Sequence, residues 1–140
     1  MTRPVTRQEI KQIVKEFKNG KAPGLSGINK TVLLNLSDVT WDRFVAILNL
    51  TISLGYFPII LKNGLTILIL KSDKDPRQPT SYRPITLLEL PGKILERILN
   101  NRFQRFLREQ NLYNNNQYGF IPGRGTELAI AKTYETTVLR

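Results

Sequence analysis

The stretch LTILILKSDKDPRQPTSYRPITLL, residues 65–88, decides the fold expected of this 140-residue chain. Leu65 to Leu70 form a short, continuous apolar run rich in isoleucine, which is typical of a buried strand. A charged, proline-broken loop follows, and a second strand-like segment covers residues 83–88. Because proline excludes the α conformation from the residue before it, Arg83 should lie on extended backbone. The pattern predicts an antiparallel β-hairpin, with Lys71 at the end of one arm and Arg83 at the start of the other.

The sequence before the hairpin is helical in pattern. Thr6 and Glu9 form a capping box at the start of an amphipathic run. Two more helices are predicted at residues 28–36 and 40–54, the second closed by Gly55. The second of them carries an apolar face that should enter the core, made of Trp41, Phe44, Val45, Leu48 and Ile52.

The segment KAPGLSG, residues 21–27, links the first two predicted helices. Several of its backbone amides could face an anion, but it lacks both spacings known from phosphate-binding loops. A turn between helices explains the segment at least as well. In that interpretation Ser26 can cap the following helix.

A long amphipathic helix is predicted from Gly92 to about residue 110. We expect its apolar stripe to pack on the hairpin; the stripe comprises Ile94, Leu95, Ile98, Leu99 and Phe103. The opposite face is basic, with Lys93, Arg97, Arg105 and Arg108. That face is either simply solvated or binds the backbone of a nucleic acid.

The loop NLYNNNQYGFIPGRG, residues 111–125, combines aromatic, amide and cationic side chains. Tyr113, Tyr118 and Phe120 are spaced through it, and Arg124 lies near its end. Such a mixture can stack on bases while holding phosphate. The alternative is a loop whose aromatic side chains plug its own core. Thr126 is then predicted to cap a final helix.

The charge balance is strongly basic, with 21 Lys and Arg against 11 Asp and Glu. A net charge of +10 favours a polyanionic partner. The chain has no Cys and no His, which excludes disulfides, thiol nucleophiles and imidazole bases. No apolar run is long enough for a membrane span and no signal peptide is visible, so we expect an intracellular protein, nuclear or cytoplasmic.

A series of segments, in order along the chain, resembles the reverse transcriptases of non-LTR (LINE-type) retrotransposons: KAPGLSGI, LGYFP, LILKSDKDP, SYRPITLL, GKILERIL, QYGF and GRGTELAI. The resemblance implies an α+β fold, part of a right-hand polymerase. Residues 1–62 would be a helical N-terminal extension, 63–125 the fingers subdomain with a small antiparallel sheet, and 126–140 the first helix of an incomplete palm. The rest of the palm and the thumb are expected beyond Arg140.

The resemblance also assigns roles to particular residues. It implies that Lys71 and Arg83 hold the triphosphate of the incoming deoxynucleoside triphosphate. It places the template and primer against Gln117, Tyr118, Gly119, Phe120 and Arg124, and we add the basic helix residues Arg97, Arg105 and Arg108. Two departures from the family pattern stand out: Ile121 occupies the usual place of an arginine, and Leu25-Ser26 that of proline and aspartate.

Polymerases of this family use carboxylates that hold two divalent ions, and those aspartates come later in the family pattern. We therefore expect neither catalytic nor metal-binding residues in this chain, no cofactor on it, and Mg²⁺ in the complete enzyme. The expected partners are an RNA template, a DNA primer, a deoxynucleoside triphosphate and the missing palm and thumb, with no membrane. The alternative is a stand-alone basic RNA- or DNA-binding helical module without catalytic activity.

Overall fold

The computed structural model describes residues 3–138, which divide into two compact units between Arg102 and Phe103. The elements in chain order are α1 (Arg7–Glu16), α2 (Lys30–Leu34), α3 (Asp38–Leu54), β1 (Gly64–Leu70), β2 (Tyr82–Leu88), α4 (Leu90–Glu109) and α5 (Thr126–Val138). Short 3-10 turns precede each strand. Helices combined with a two-stranded antiparallel sheet confirm the α+β class at this level. The last two residues of the predicted 126–140 helix lie outside the described residues.

The helix starts of the first unit are set by local side-chain caps. The Thr6 hydroxyl accepts from the Glu9 amide at 3.2 Å, as the capping box predicts. Gly55 ends α3 in the left-handed conformation, with φ of 62°. The prediction for α2 was wrong in length and cap. Asn29, and not Ser26, caps it by accepting from Val32 at 3.0 Å.

The core of the first unit is formed by helices. Trp41 and Leu48 are buried as predicted, and Phe44, Val45 and Ile52 pack against them partly buried. The remaining core side chains come from the N-terminal segment, α1, α2 and α4: Val5, Ile10, Ile13, Val14, Leu33, Leu90, Ile94, Leu95 and Ile98. Among the residues that the structure describes, none from β1 or β2 belongs to this buried cluster. The sheet therefore lies outside the core that holds the helices together.

The hairpin forms as predicted, but its burial was predicted wrongly. The strands pair antiparallel, with Ile69 opposite Arg83 and Leu68 opposite Pro84. Every residue of β1 is exposed, Leu68 to 66%. A two-stranded sheet leaves both faces open unless another layer covers them.

The apolar stripe of α4 does not pack on the hairpin, which corrects a second expectation. Ile94, Leu95 and Ile98 are at most 1% exposed within the helical core, whereas Leu99 and Phe103 are 45% and 49% exposed. The stripe is buried where the apolar faces of α1 and α3 are available to it. It therefore stabilises the helices and leaves the sheet uncovered.

In the second unit, the loop after α4 leads into α5. Thr126 is the first residue of α5 and not its cap, because the first helical carbonyl is that of Gly125, which accepts from Ala129 at 3.1 Å. Ile121 is buried to 7% exposure. In the described part of the chain, no helix is both long enough and apolar enough to cross a bilayer.

Candidate nucleotide and nucleic-acid interface

The loop end of the hairpin brings Lys71 and Arg83 close together in the fold. The Lys71 amide donates to the Ser81 carbonyl at 2.8 Å, so the strand pairing continues one step past β1. Arg83 lies opposite Ile69, two residues before Lys71. Because side chains alternate between the faces of a sheet, Lys71 and Arg83 share one face as diagonal neighbours.

The two cations differ in how their charges are engaged. The Lys71 ammonium donates to the Thr80 carbonyl at 2.7 Å, a contact that leaves its charge unneutralised. Arg83 is exposed, and none of the ion pairs formed by the described residues includes it. Its guanidinium fork is therefore available to an external anion. Pro84 follows it directly and fixes the extended backbone from which the side chain projects.

The loop between the strands is tied back to the hairpin. The Tyr82 hydroxyl donates to the Pro76 carbonyl at 3.0 Å, and the Asp75 carboxylate accepts from the Arg77 amide at 2.9 Å. These bonds restrain the loop beside Lys71 and Arg83.

Arg124 holds the loop before α5 in shape. Its Nη1 donates to the carbonyls of Asn114 and Gln117 at 2.7 and 2.8 Å. The Gln117 side chain also stays local, since its Nε2 donates to the Gly119 carbonyl at 3.2 Å. A loop-organising role for Arg124 was not foreseen from the sequence, and its contact with phosphate stays a prediction.

Phe120 projects from this loop into solvent. It has a positive φ of 61°, and its side chain is 101% exposed while that of Ile121 is buried. Tyr118 and Tyr113 are half-buried, and the Tyr113 hydroxyl donates to the Gln104 side chain. The residue that anchors the loop is thus Ile121, and Phe120 does not plug a core. The Phe120 backbone is strained, and its exposed aromatic ring offers a surface on which a base could stack.

The basic side chains predicted along α4 are not equivalent. Arg97 and Arg108 are exposed, and none of the ion pairs among the described residues includes them. Arg105 donates from Nε to Glu109 at 2.6 Å, and this hydrogen bond raises the pKa of Arg105. The positive charge of Arg105 is therefore partly neutralised by Glu109 within the helix.

Glu89 was missed by the sequence analysis. It is 5% exposed, and its carboxylate accepts from the Ser26 amide at 2.8 Å and from the Ser26 hydroxyl. The Ser26 hydroxyl is the main reason why the pKa of Glu89 is lowered. A Cβ on Gly24 would lie 2.8 Å from the Glu89 Oε1, so a larger residue there would displace this carboxylate. The KAPGLSG amides do face an anion, and the anion is the chain's own carboxylate.

The described acids do not assemble a metal site. Within residues 3–138, no group of three or more His, Cys, Asp or Glu side chains could hold an ion. Several acids instead have basic partners: Asp38 and Asp42 pair with Arg7, Glu9 with Arg102, Glu109 with Arg105 and Glu135 with Lys132. We assign no metal ion to these side chains.

Comparison with known proteins relates the chain to enzymes that copy nucleic acids. It is 36% identical over 123 residues to the RNA-directed DNA polymerase from mobile element jockey of Drosophila funebris, covering 88% of this chain and 13% of that protein. A putative 115 kDa protein in type-1 retrotransposable element R1DM of Drosophila melanogaster is 37% identical over 120 residues, covering 85% and 12%. No protein-family model matches.

A third relative extends the same pattern. The probable RNA-directed DNA polymerase from transposon X-element of Drosophila melanogaster is 32% identical over 118 residues, covering 84% of this chain and 13% of the relative. The predicted resemblance is therefore confirmed: the chain is homologous to a segment of the reverse transcriptases of non-LTR retrotransposons. It spans about one eighth of the length of these relatives.

Proposed function

We propose that the chain is the part of a non-LTR retrotransposon reverse transcriptase that binds the incoming nucleotide and the template, comprising the fingers and the start of the palm. The observation that carries this proposal is the exposed Arg83, placed beside Lys71 at the loop end of the hairpin. Homology to RNA-directed DNA polymerases supports the same conclusion.

Arg83 is suited to bind a triphosphate. A guanidinium offers two parallel donors to phosphate oxygens, and such a bidentate contact fixes orientation as well as charge. The extended backbone before Pro84 limits the directions from which the side chain can approach. Lys71 adds a second positive charge on the same face, where negative charge on the triphosphate needs compensation.

The template is proposed to contact the loop before α5 and the arginines of α4. Phe120 would stack on a base, with Tyr118 and the Gly119 backbone beside it. Arg97 and Arg108 would neutralise phosphates of the RNA template or DNA primer. Gln117 and Arg124 would act chiefly by holding the loop, because both already donate to loop carbonyls.

Catalysis is proposed to require carboxylates outside this chain. Bound Mg²⁺ ions would activate the primer hydroxyl and stabilise charge on the triphosphate. The chain's own contribution is to position the nucleotide and the template.

A chimeric enzyme tests the proposal. The matching segment of the jockey polymerase of Drosophila funebris would be replaced by this chain, and RNA-templated DNA synthesis would be measured. We expect the chimera to synthesise DNA, whereas a jockey polymerase with the segment deleted should not. A folded chimera that is as inactive as the deletion would contradict the proposal.

A further inference from the structure

A cavity of about 230 Å³ opens in the first unit, away from the hairpin end that carries Arg83. Its walls come from residues 17–23 and 28–31, on both sides of the KAPGLSG loop, and from Leu88, Leu90 and Lys93 at the junction of β2 and α4. The function proposed above makes no use of it. We call this cavity the lysine pocket.

The pocket is lined by several cations and, among the described residues, by no acid; the cations are Lys18, Lys21, Lys30 and Lys93. Lys30 is already engaged, since its ammonium donates to the carbonyls of Lys15 and Phe17 at 2.9 and 2.7 Å. The other three are absent from the ion pairs formed by the described residues. Excess positive charge around one opening favours an anionic ligand.

The walls of the pocket are partly apolar. Phe17, Ile28 and Leu90 contribute carbon surface, and the amides of Asn19 and Asn29 lie among them. A site for a bare phosphate ion would not need such walls. Apolar surface with a few polar groups is the usual lining of sites for small organic ligands.

The hydrogen bonds between Ser26 and Glu89, which we call the Glu89 latch, shape the pocket before any ligand binds. The Glu89 carboxylate accepts from Ser26, which ties the KAPGLSG loop to the junction of β2 and α4. Pocket residues flank both ends of this contact. Glu89 also attracts Lys93 and offsets part of its positive charge. The lysines therefore surround a concavity whose two sides are joined by this contact.

We infer that the lysine pocket binds a phosphate ester with a planar or apolar body, of about the size of one nucleotide. The phosphate contacts the ammonium groups of Lys18, Lys21 and Lys93, and the body lies against Phe17 and Leu90. The volume is just below the roughly 300 to 1,000 Å³ of typical ligand pockets, which limits the ligand to about one nucleotide unit.

Calorimetric titration of the 140-residue chain tests the ligand chemistry. The probes are adenosine monophosphate, adenosine and inorganic phosphate. We expect the monophosphate to bind at least about tenfold more tightly than either of the others, because only it meets both the cations and the apolar wall. Equal binding of adenosine or of inorganic phosphate would overturn the inference.

Matched variants test the location. Lys18→Gln with Lys21→Gln removes two exposed charges at the pocket and should weaken binding of adenosine monophosphate about tenfold. Arg43→Gln with Lys62→Gln removes two exposed charges elsewhere in the first unit and should leave binding unchanged. Equal losses in both double variants would show that the pocket is not the site.

A competition experiment separates free nucleotides from strand ends. The competitors are a short oligoribonucleotide with a 5′-phosphate and the same oligomer without it. If only the phosphorylated oligomer displaces adenosine monophosphate, the pocket also accepts the phosphorylated end of a strand. Absence of displacement by either oligomer leaves the free nucleotide as the ligand. Displacement by the unphosphorylated oligomer would overturn the inference, because general attraction to a polyanion would then explain the binding.

Discussion

The buried carboxylate of Glu89 accepts hydrogen bonds from Ser26, which lies 63 positions earlier in the chain. Hydrogen bonds from Ser26 lower the pKa of Glu89 below 4.5 in the folded chain. The ionised form therefore stabilises the fold at pH values above about 4.5. This stabilisation is lost as the pH falls through the lowered pKa of the folded state.

Glu89→Gln should reduce stability at pH 7 by about 1 to 3 kcal/mol, because a neutral amide accepts more weakly and brings donors of its own into a buried site. It should also flatten the dependence of stability on pH below 4.5. Urea unfolding at pH 7 and at pH 4 measures both effects. Glu96→Gln, at an exposed acid on the following helix α4, is the control. An unaltered pH dependence in the Glu89 variant would contradict the claim that ionised Glu89 stabilises the fold through Ser26.

Phe120 combines a left-handed backbone with a fully exposed ring. Phe120→Gly should therefore cost no thermal stability, since glycine adopts positive φ without strain and no packed surface is lost. The same variant should weaken binding of single-stranded RNA by about 1 to 3 kcal/mol if the ring stacks on a base. Thermal melting and fluorescence anisotropy measure the two effects. A destabilised variant with unchanged RNA affinity would identify Phe120 as a structural residue instead.

At the scale of elements, α4 carries arginines in different electrostatic states. Arg97→Ala should weaken RNA binding and lower the salt slope, the change in log K per log of salt concentration, by about 0.7. Arg105→Ala should have a smaller effect, because Glu109 already neutralises part of its charge. Glu109→Gln should strengthen binding by releasing Arg105. Anisotropy titrations over a range of salt concentrations test this order, and equal effects of Arg97 and Arg105 would contradict it.

The accuracy of the sequence predictions depends on how local each determinant is. Thr6, Gly55 and the hairpin were foreseen because caps, turns and strand patterns act over a few residues. The exposure of β1 was not foreseen, because an apolar run reveals a preference for burial but not whether another layer covers it. Glu89 escaped notice for the same reason, since its partner Ser26 is close only in the folded chain. For the candidate site, the positions of Lys71 and Arg83 followed from the hairpin, whereas the loop-holding role of Arg124 depends on nonlocal carbonyls.

At the scale of the whole molecule, the proposal separates binding from catalysis. The 140-residue chain by itself should not extend a primer on an RNA template with Mg²⁺ or Mn²⁺, because the carboxylates that hold these ions are proposed to lie outside it. Primer extension with radiolabelled nucleotide measures this, with the active chimera as the positive control. Incorporation that persists through repeated purification would contradict the proposal.

The nucleotide dependence of the chimera is the most direct measure of the central claim, that Arg83 binds the incoming triphosphate. Arg83→Ala should raise the KM for deoxynucleoside triphosphate about tenfold or more, and Arg83→Lys should restore it only in part because the bidentate fork is lost. Arg77→Ala, in the exposed loop of the same hairpin, should leave this KM unchanged. An Arg83→Ala enzyme with the same KM as the unmodified chimera would contradict the account.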